Sequence, residues 1–259
     1  MKKYLFVAIA IMILFAMGFL VSTMKPEERN LLLTVDTEYS FVMGENSKGT
    51  VMYYVTDHDH PLTKMNQMMR VIIYDQSVDQ RLDVNVVDLE IGHEEIYLKD
   101  RYYRIMITFD MPKLSHDMIF DDAYMTIELM DQLSFSMRLG RVSLLYKSAD
   151  EPYLNWTSLS GLKKEGDLRS RLGEINVSYE GDCPVIDHID IGTTADITFT
   201  CSNQQLIISI DSAFYLLYDV PIIITFHDGT RQVIDNFRYI IDYVILKESG
   251  PMINVYTLD

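Results

Sequence analysis

Hydrophobic and polar residues alternate along several stretches of this chain, and the alternation predicts β-strands. Ile105, Ile107 and Phe109 alternate with more polar neighbours. Because successive side chains of a strand point to opposite faces, such a pattern places one face on a core and the other toward water. The same period of two recurs in Met125–Leu129 and Phe135–Leu139. The short segment between these two stretches predicts a hairpin turn.

Further β-branched and aromatic stretches extend this pattern over both halves of the chain. Asp228-Gly229 lies between two of them and is a signal for a type I′ hairpin turn. About six or seven short strands per half, spaced about 8–12 residues apart, are typical of β-sandwiches. We therefore predict an all-β fold with two Ig-like β-sandwich domains, residues 27–148 and 175–259. One larger sandwich is the alternative, and the absence of strand–helix alternation disfavours a doubly wound fold.

The pattern breaks between the two predicted domains. Residues 149–174 are rich in glycine and show no strand alternation, so we interpret them as a connecting segment. Within it, Leu162–Leu172 is a candidate short helix that Gly173 would end. Trp156, the single tryptophan, has Tyr153 and Leu154 close by in the chain. We expect this cluster to pack at the seam between the domains.

The N-terminal residues predict a transmembrane anchor. Residues 4–24 form an uncharged, predominantly apolar run of 21 residues. A helix of that length reaches about 30 Å, roughly the hydrocarbon thickness of a bilayer. Lys2 and Lys3 place residues 1–3 in the cytoplasm and everything after the run outside it. The alternative is a cleaved signal peptide, whose apolar region is typically about 7–15 residues long. Both interpretations export the chain.

Composition narrows the possible partners. The chain has 38 acidic and 22 basic residues, with a net charge of −16. Such a surface repels nucleic acid, so we expect no nucleic-acid partner. The 17 tyrosines and 11 phenylalanines favour folded cores over disorder.

The chain contains two cysteines, Cys183 and Cys201. In an exported protein an even number of cysteines predicts a disulfide. The bond would close a loop of about 19 residues and contribute roughly 3 kcal/mol in the chain-entropy model. Two buried thiols are the alternative. A structural zinc site would need four ligands, and two cysteines alone do not supply them.

The densest group of candidate metal ligands is Asp57-His58-Asp59-His60. On an extended segment the two histidines point to one side and the two aspartates to the other, so each face offers two ligands. The segment precedes Pro61, where an exposed loop is also expected. Ser115-His116-Asp117 is not a triad signal, because catalytic residues meet in space and are rarely neighbours in sequence. Since no other catalytic or cofactor motif is present, we predict no catalytic or cofactor-binding residues and no enzymatic activity.

Three functions remain open. The favoured one is a non-catalytic binding role on the outer side of the cell membrane, as accessory subunit of an envelope complex such as a bacterial ABC-type transporter or a sensor. The partner would be a membrane protein, because residues 4–24 hold the chain in the membrane. The second is a surface adhesin or structural module. The third is a metal-dependent enzyme that uses Asp57–His60.

Overall fold

The structure is a computed structural model that describes residues 30–43, 47–146, 153–163, 172–194, 197–210, 215–234, 237, 239 and 244–258. The predicted anchor, residues 4–24, lies outside them. The described chain is mostly β-strand arranged in several sheets, with one short α-helix. At this level the all-β prediction is confirmed.

Seventeen strands and one α-helix make up the described regular structure, apart from short 3₁₀ turns. In chain order they are β1 (Leu31–Val35), β2 (Thr37–Val42), β3 (Lys48–Val55), β4 (Met68–Asp75), β5 (Gln80–Tyr97), β6 (Asp100–Asp110), β7 (Met118–Leu129), β8 (Ser134–Leu145), β9 (Asn155–Lys163), β10 (Leu172–Glu180), β11 (Ile186–Asp190), β12 (Thr198–Ser202), β13 (Gln205–Ser209), β14 (Leu216–Leu217), β15 (Ile222–Phe226), β16 (Arg231–Ile234), α1 (Ile245–Ser249) and β17 (Ile253–Thr257).

Ten strands form one hydrogen-bonded sheet in the order β14-β2-β8-β7-β4-β5-β6-β3-β1-β17. Two features divide it into two halves, β14-β2-β8-β7-β4 and β5-β6-β3-β1-β17. β5 pairs with β4 through Gln80–Val84 and with β6 through Asn85–Tyr97. β1 pairs with β3, whereas β2, which follows after Asp36 alone, pairs with β8. Because both halves contribute buried side chains to one hydrophobic core, their inner faces pack on each other.

The buried positions of this first core follow the alternation in the sequence. Ile105, Ile107 and Phe109 on β6 are fully buried. β2 and β8 run parallel, and Gly140 of β8 lies opposite Thr37. Gly140 has φ +111°, and a Cβ there would lie 2.6 Å from the Thr37 backbone nitrogen. A side chain at position 140 would therefore push these two strands apart.

The second core lies between a four-stranded sheet, β12-β13-β10-β9, and a three-stranded sheet, β11-β15-β16. The predicted hairpin at Asp228-Gly229 connects β15 to β16. Gly229 has φ +84°, but Asp228 is not left-handed. A type I′ turn needs positive φ at both central residues. The hairpin is thus present, but its turn type differs from the prediction.

The last strand differs from the sequence prediction, which placed it in the second domain, 175–259. β17 pairs with β1 at the edge of the large sheet, with Leu31 opposite Thr257. In α1, Leu246 is buried in the first core and its N–H donates to Glu95 Oε2 at 2.8 Å. The pairing gives the backbone groups of β1 partners on both sides, a contact between the two ends of the described chain that no local sequence pattern marks. The boundaries at residues 148 and 175 stay a prediction.

The predicted connecting segment, 149–174, contains the nine residues of β9. The predicted helix Leu162–Leu172 is wrong at both ends, because Leu162 belongs to β9 and Leu172 begins β10. Residues 164–171 lie outside the described residues. β9 escaped the sequence prediction because it lies at a sheet edge, with only Leu159 partly buried, so no apolar alternation marks it.

A polar seam joins the two cores. Glu38 of β2 is fully buried, and its carboxylate is 2.5 Å from Arg141 Nη1. Arg141 Nε also donates to Asp121 Oδ1 at 2.9 Å. From the second core, the backbone N–H and hydroxyl of Thr193 donate to Glu38 Oε2 at 2.8 and 2.7 Å. A Cβ on Gly192, which has φ +54°, would collide with the Glu38 carboxylate. We call Glu38, Asp121, Arg141 and Thr193 the polar seam.

Candidate interaction surface

The segment Asp57–His60 connects β3 to β4 and is a well-capped loop. Asp57 Oδ1 accepts the N–H of Asp59 at 2.8 Å. His60 Nδ1 accepts the N–H of Leu62 at 3.2 Å and so caps the 3₁₀ turn that begins at Pro61. Partial burial lowers the pKa of His60, since desolvation disfavours the charged ring. These contacts give each of Asp57 and His60 a local structural role.

The same segment offers part of a metal-ligand set. Asp57, His58 and Asp59 each present a ligand atom, and the three atoms lie within 4.8 Å of one another. His60 does not belong to this group, and its Nδ1 accepts the Leu62 N–H. A closed structural zinc site needs four protein ligands, so this group is one short. Metal binding at Asp57–His60 therefore stays a prediction.

The arrangement of side chains around His116 is not that of a catalytic triad. Its Nδ1 is 3.1 Å from the Ser115 hydroxyl, and both groups are exposed. The neighbouring Asp117 carboxylate instead accepts the backbone N–H of Tyr146 at 2.7 Å. The three side chains are thus not arranged in series, and this segment has the geometry of a surface loop.

The predicted disulfide between Cys183 and Cys201 is present, with the two Cα atoms 6.2 Å apart. Cys201 lies on β12, one edge of the four-stranded sheet. Cys183 lies in the loop that follows β10. The bond ties that loop to β12, and the Tyr179 hydroxyl contacts Cys201 Sγ at 3.1 Å. This edge of the sheet is therefore covalently held.

The opposite edge of that sheet is the open strand β9, which sequence reasoning missed. Eight of its nine residues are exposed, and Leu159 is partly buried against the second core. β9 pairs with β10 on one side, and no other strand in the described ranges pairs with its other side. It is also the longest edge strand of the described sheets. From Asn155 to Leu162 it carries no charge.

Contacts just before β9 fix its position. Leu154 is buried, its N–H donates to Gln232 Oε1 at 2.7 Å, and its carbonyl accepts from Gln232 Nε2 at 2.8 Å. The Tyr153 ring stacks on Phe226 at 4.8 Å between centroids. The Tyr153 hydroxyl donates to Asp228, which raises the pKa of Tyr153 and lowers the pKa of Asp228. The start of β9 is thus anchored to the three-stranded sheet.

The register between β9 and β10 is continuous from Ser158 to Leu162 and irregular on either side of that stretch. Ser158 and Ser160 lie opposite Ser178 and Asn176. Trp156 precedes the irregularity and is 45% exposed, so it does not pack in a seam between the cores as expected. The edge therefore offers five regularly paired residues with small or apolar side chains, beside one half-exposed indole ring.

No family model matches this chain, and no curated protein matches it. The crystal structure of murine CEACAM1b is similar to it at a TM-score of 0.19 with 8% sequence identity, covering 80% of this chain and 98% of that chain. A TM-score of this size carries no argument about function. Among the described residues, no helix has the length and apolar character needed to cross a membrane.

Proposed function

We propose that this chain is a membrane-anchored extracytoplasmic protein that binds a partner and catalyses no reaction. Residues 4–24 would cross the membrane once, with residues 1–3 in the cytoplasm and the β-sheets outside. The open edge strand β9 carries the proposal, because an extended segment of another protein can add to it as a further strand. Binding of this kind needs backbone hydrogen bonds and no catalytic group.

The proposed fold of both extracytoplasmic units is the Ig-like sandwich. In the first unit, the pairing order β1-β3-β6-β5 faces β4-β7-β8 across the core. This corresponds to the ABED and CFG sheets of the immunoglobulin arrangement. In the second unit, two sheets share one core, which supports a second sandwich. Such folds serve many binding roles, so the functional argument rests on β9 alone.

Natural proteins protect exposed sheet edges with charges, proline or bulges, because unpaired backbone groups recruit other strands. β9 has no proline, and its first charge is Lys163 at its end. An irregularity in register occurs between Ser158 and Trp156, but the five residues that follow are regular. Five paired residues are a common strand length, so a partner strand fits this stretch. The regular, uncharged stretch from Ser158 to Leu162 favours a pairing function for β9.

The proposed partner is a membrane protein of an envelope complex, such as an ABC-type transporter or a sensor. A common membrane would keep the two proteins at a high effective concentration, so a short β-strand contact is sufficient. The acidic chain, with a net charge of −16, would repel acidic partners and favours an extended segment that is neutral or basic.

A photo-crosslinking residue tests this proposal. It would replace Ser160 of β9 in the full chain, expressed in its native membrane. The matched control places the same residue at Val255 of β17, an exposed position on another edge strand. We expect Ser160 to form a crosslinked adduct with a membrane protein and Val255 to form none. Mass spectrometry of the adduct would identify the partner segment.

Two results would contradict the proposal. One is an absence of adducts at both Ser158 and Ser160 under conditions in which Val255 crosslinks. The other is a full chain that purifies alone in mild detergent, both with its own residues 4–24 and with an unrelated anchor in their place.

A further inference from the structure

Three connections and the start of the described chain lie at one end of the first core. Thr56 N–H donates to the Leu31 carbonyl at 3.0 Å, which places the β3–β4 connection beside the start of β1. Met130 N–H donates to the Gln67 carbonyl at 2.9 Å, which places the β7–β8 turn beside the same connection. Val55, at the end of β3, pairs with Tyr103, near the start of β6, so the β5–β6 turn lies at this end too. We define the loop end as Asn30, residues 56–69, residues 96–99 and residues 130–133.

Large apolar side chains are exposed on the loop end. Leu98 is 76% exposed and Met130 is 64% exposed. Four more join them, which are Met65, Met69, Ile96 and Leu133. They come from three separate connections that lie at this same end of the first core. Exposed apolar clusters of this kind mark sites that contact another protein or a membrane.

The backbone at the β5–β6 turn has a conformation that is costly for its residues. Leu98 has φ +50° and Lys99 has φ +78°. Asn and Gly are the residues that such a turn favours, because at positive φ the Cβ of most other residues comes too close to the backbone. A leucine here is thus held at the tip of the hairpin, with its side chain in solvent, against the local preference. This suggests that the apolar side chain itself is used.

The length of chain before Asn30 indicates what covers the loop end. The apolar run ends at Met24, and only residues 25–29 separate it from Asn30. A fully extended chain spans at most about 3.5 Å per residue, so Asn30 lies within roughly 20 Å of Met24. If residues 4–24 cross the membrane, this short distance holds the loop end close to the outer surface of the bilayer.

We propose that the loop end rests on the lipid bilayer, with Leu98, Ile96 and Met130 inserted among the lipid head groups and upper acyl chains. The inference relies on the proposed anchor. The acidic chain is not drawn to lipid by charge, so the tether supplies the proximity and the apolar side chains supply the contact. Lys64 and Lys99 lie on this end beside Asp57, Asp59 and Asp131, so charge does not draw it to lipid, but the two lysine side chains can reach toward head groups beside inserted apolar residues. β9, on the second core, is left for a protein partner.

A single-site fluorescent label tests the contact. Leu98→Cys and Met130→Cys variants of the full chain would each carry an environment-sensitive fluorophore, since the two native cysteines are joined in a disulfide and do not react. Val78→Cys is the matched control, because Val78 is exposed in the turn at the far end of β4. In phosphatidylcholine nanodiscs, brominated acyl chains would quench the labels at 98 and 130. The label at 78 would keep its full emission.

The outcomes separate this proposal from the anchor on which it rests. If alkaline carbonate extracts the full chain from membranes, the anchor is wrong and the lipid contact falls with it. If the chain stays in the membrane but the labels at 98 and 130 behave like the label at 78, only the lipid contact is wrong. Shielding of position 98 in native membranes, but not in nanodiscs, would mean that a protein covers the loop end and would also overturn the proposal.

Discussion

The polar seam and the β9 edge differ in the burial and pairing of their polar groups. In the seam, a fully buried Glu38 contacts Arg141 and Thr193, so each buried polar atom of the carboxylate has partners. At β9, the uncharged residues from Asn155 to Leu162 are mostly exposed, and none of the other described strands pairs with the outer side of β9. Buried charges are costly unless they are paired, whereas an exposed backbone edge remains free to bind. We therefore expect substitutions in the seam to change stability, and we propose the edge as the binding surface.

Glu38→Ala is expected to have the largest effect on stability. The variant leaves the partly buried Arg141 with Asp121 as its remaining partner among the described residues and removes the acceptor of the Thr193 N–H. Breaking a buried pair from one side costs about 3–5 kcal/mol of unfolding free energy. Urea unfolding of residues 25–259 measures this change.

The matched control is Asp83→Ala, which breaks the exposed pair with Arg70. Exposed pairs contribute about 0–1 kcal/mol, so this variant should stay close to the parent. Equal losses in the two variants would contradict a special role for the seam.

Removing the disulfide should give the next largest loss of unfolding free energy. It also compares the two edges of the four-stranded sheet, β12 and β9. A Cys183→Ser/Cys201→Ser double variant is expected to lose about 3 kcal/mol, because its unfolded state is less constrained. Partner binding should not change in the folded variant, since β12 lies at the edge opposite β9. Thermal unfolding and co-purification measure the two effects. Loss of binding without loss of stability would reverse the assignment of the edges.

Ser160→Lys should separate binding from stability most directly. The residue is exposed, so the unfolding free energy should change by no more than about 0.5 kcal/mol. A lysine on an edge strand blocks strand addition, and partner recovery in mild detergent should be lost. Val255→Lys is the control variant, because β17 is another edge strand. If Ser160→Lys retains the partner at the parental level, β9 is not the binding edge.

The smallest effect concerns His60 and pH. Its pKa is lowered in the fold, so the unfolded chain binds the proton more readily and low pH favours unfolding. Its contribution to stability is complete above the ordinary histidine value of about 6.5 and is lost as pH falls through the folded pKa.

His60→Asn keeps an acceptor for the Leu62 N–H and removes the titration. The stability difference between parent and variant should therefore shift in favour of the variant on acidification from about pH 7 to pH 5. Unfolding curves across this range test it, and a difference that does not vary with pH would assign the effect to another group.

The sequence predicted the strands that alternate clearly and missed β9, which does not. Ile105, Ile107 and Phe109 are buried as their spacing indicated, because one face of β6 packs on a core. β9 shows no such signal, since a strand with one neighbour and one partly buried residue needs no apolar face. Leu162–Leu172 was assigned to a helix partly because Gly173 resembles a helix stop. In the structure Gly173 instead lies in β10, beside an irregularity in register.

The candidate surfaces also differ in whether the sequence alone could predict them. The local segment Asp57–His60 was visible as a loop before Pro61, and its hydrogen bonds are local too. The loop end was not visible, because Leu98 and Met130 are far apart in the chain and only strand pairing brings their turns to one end. Trp156 was expected in a seam and lies exposed on an edge strand.

By itself, the sequence determined the β-rich character, the hairpin at Asp228-Gly229 and the disulfide, since these follow from side-chain periodicity, turn residues and cysteine count. Only the tertiary structure decided that β17 pairs with β1, that Glu38 meets Arg141 across 103 positions, and that β9 has a single neighbour among the described strands. Local patterns record which face of a segment is buried. Which strands become neighbours depends on the burial and hydrogen-bond satisfaction of the whole chain, and that is decided only on folding.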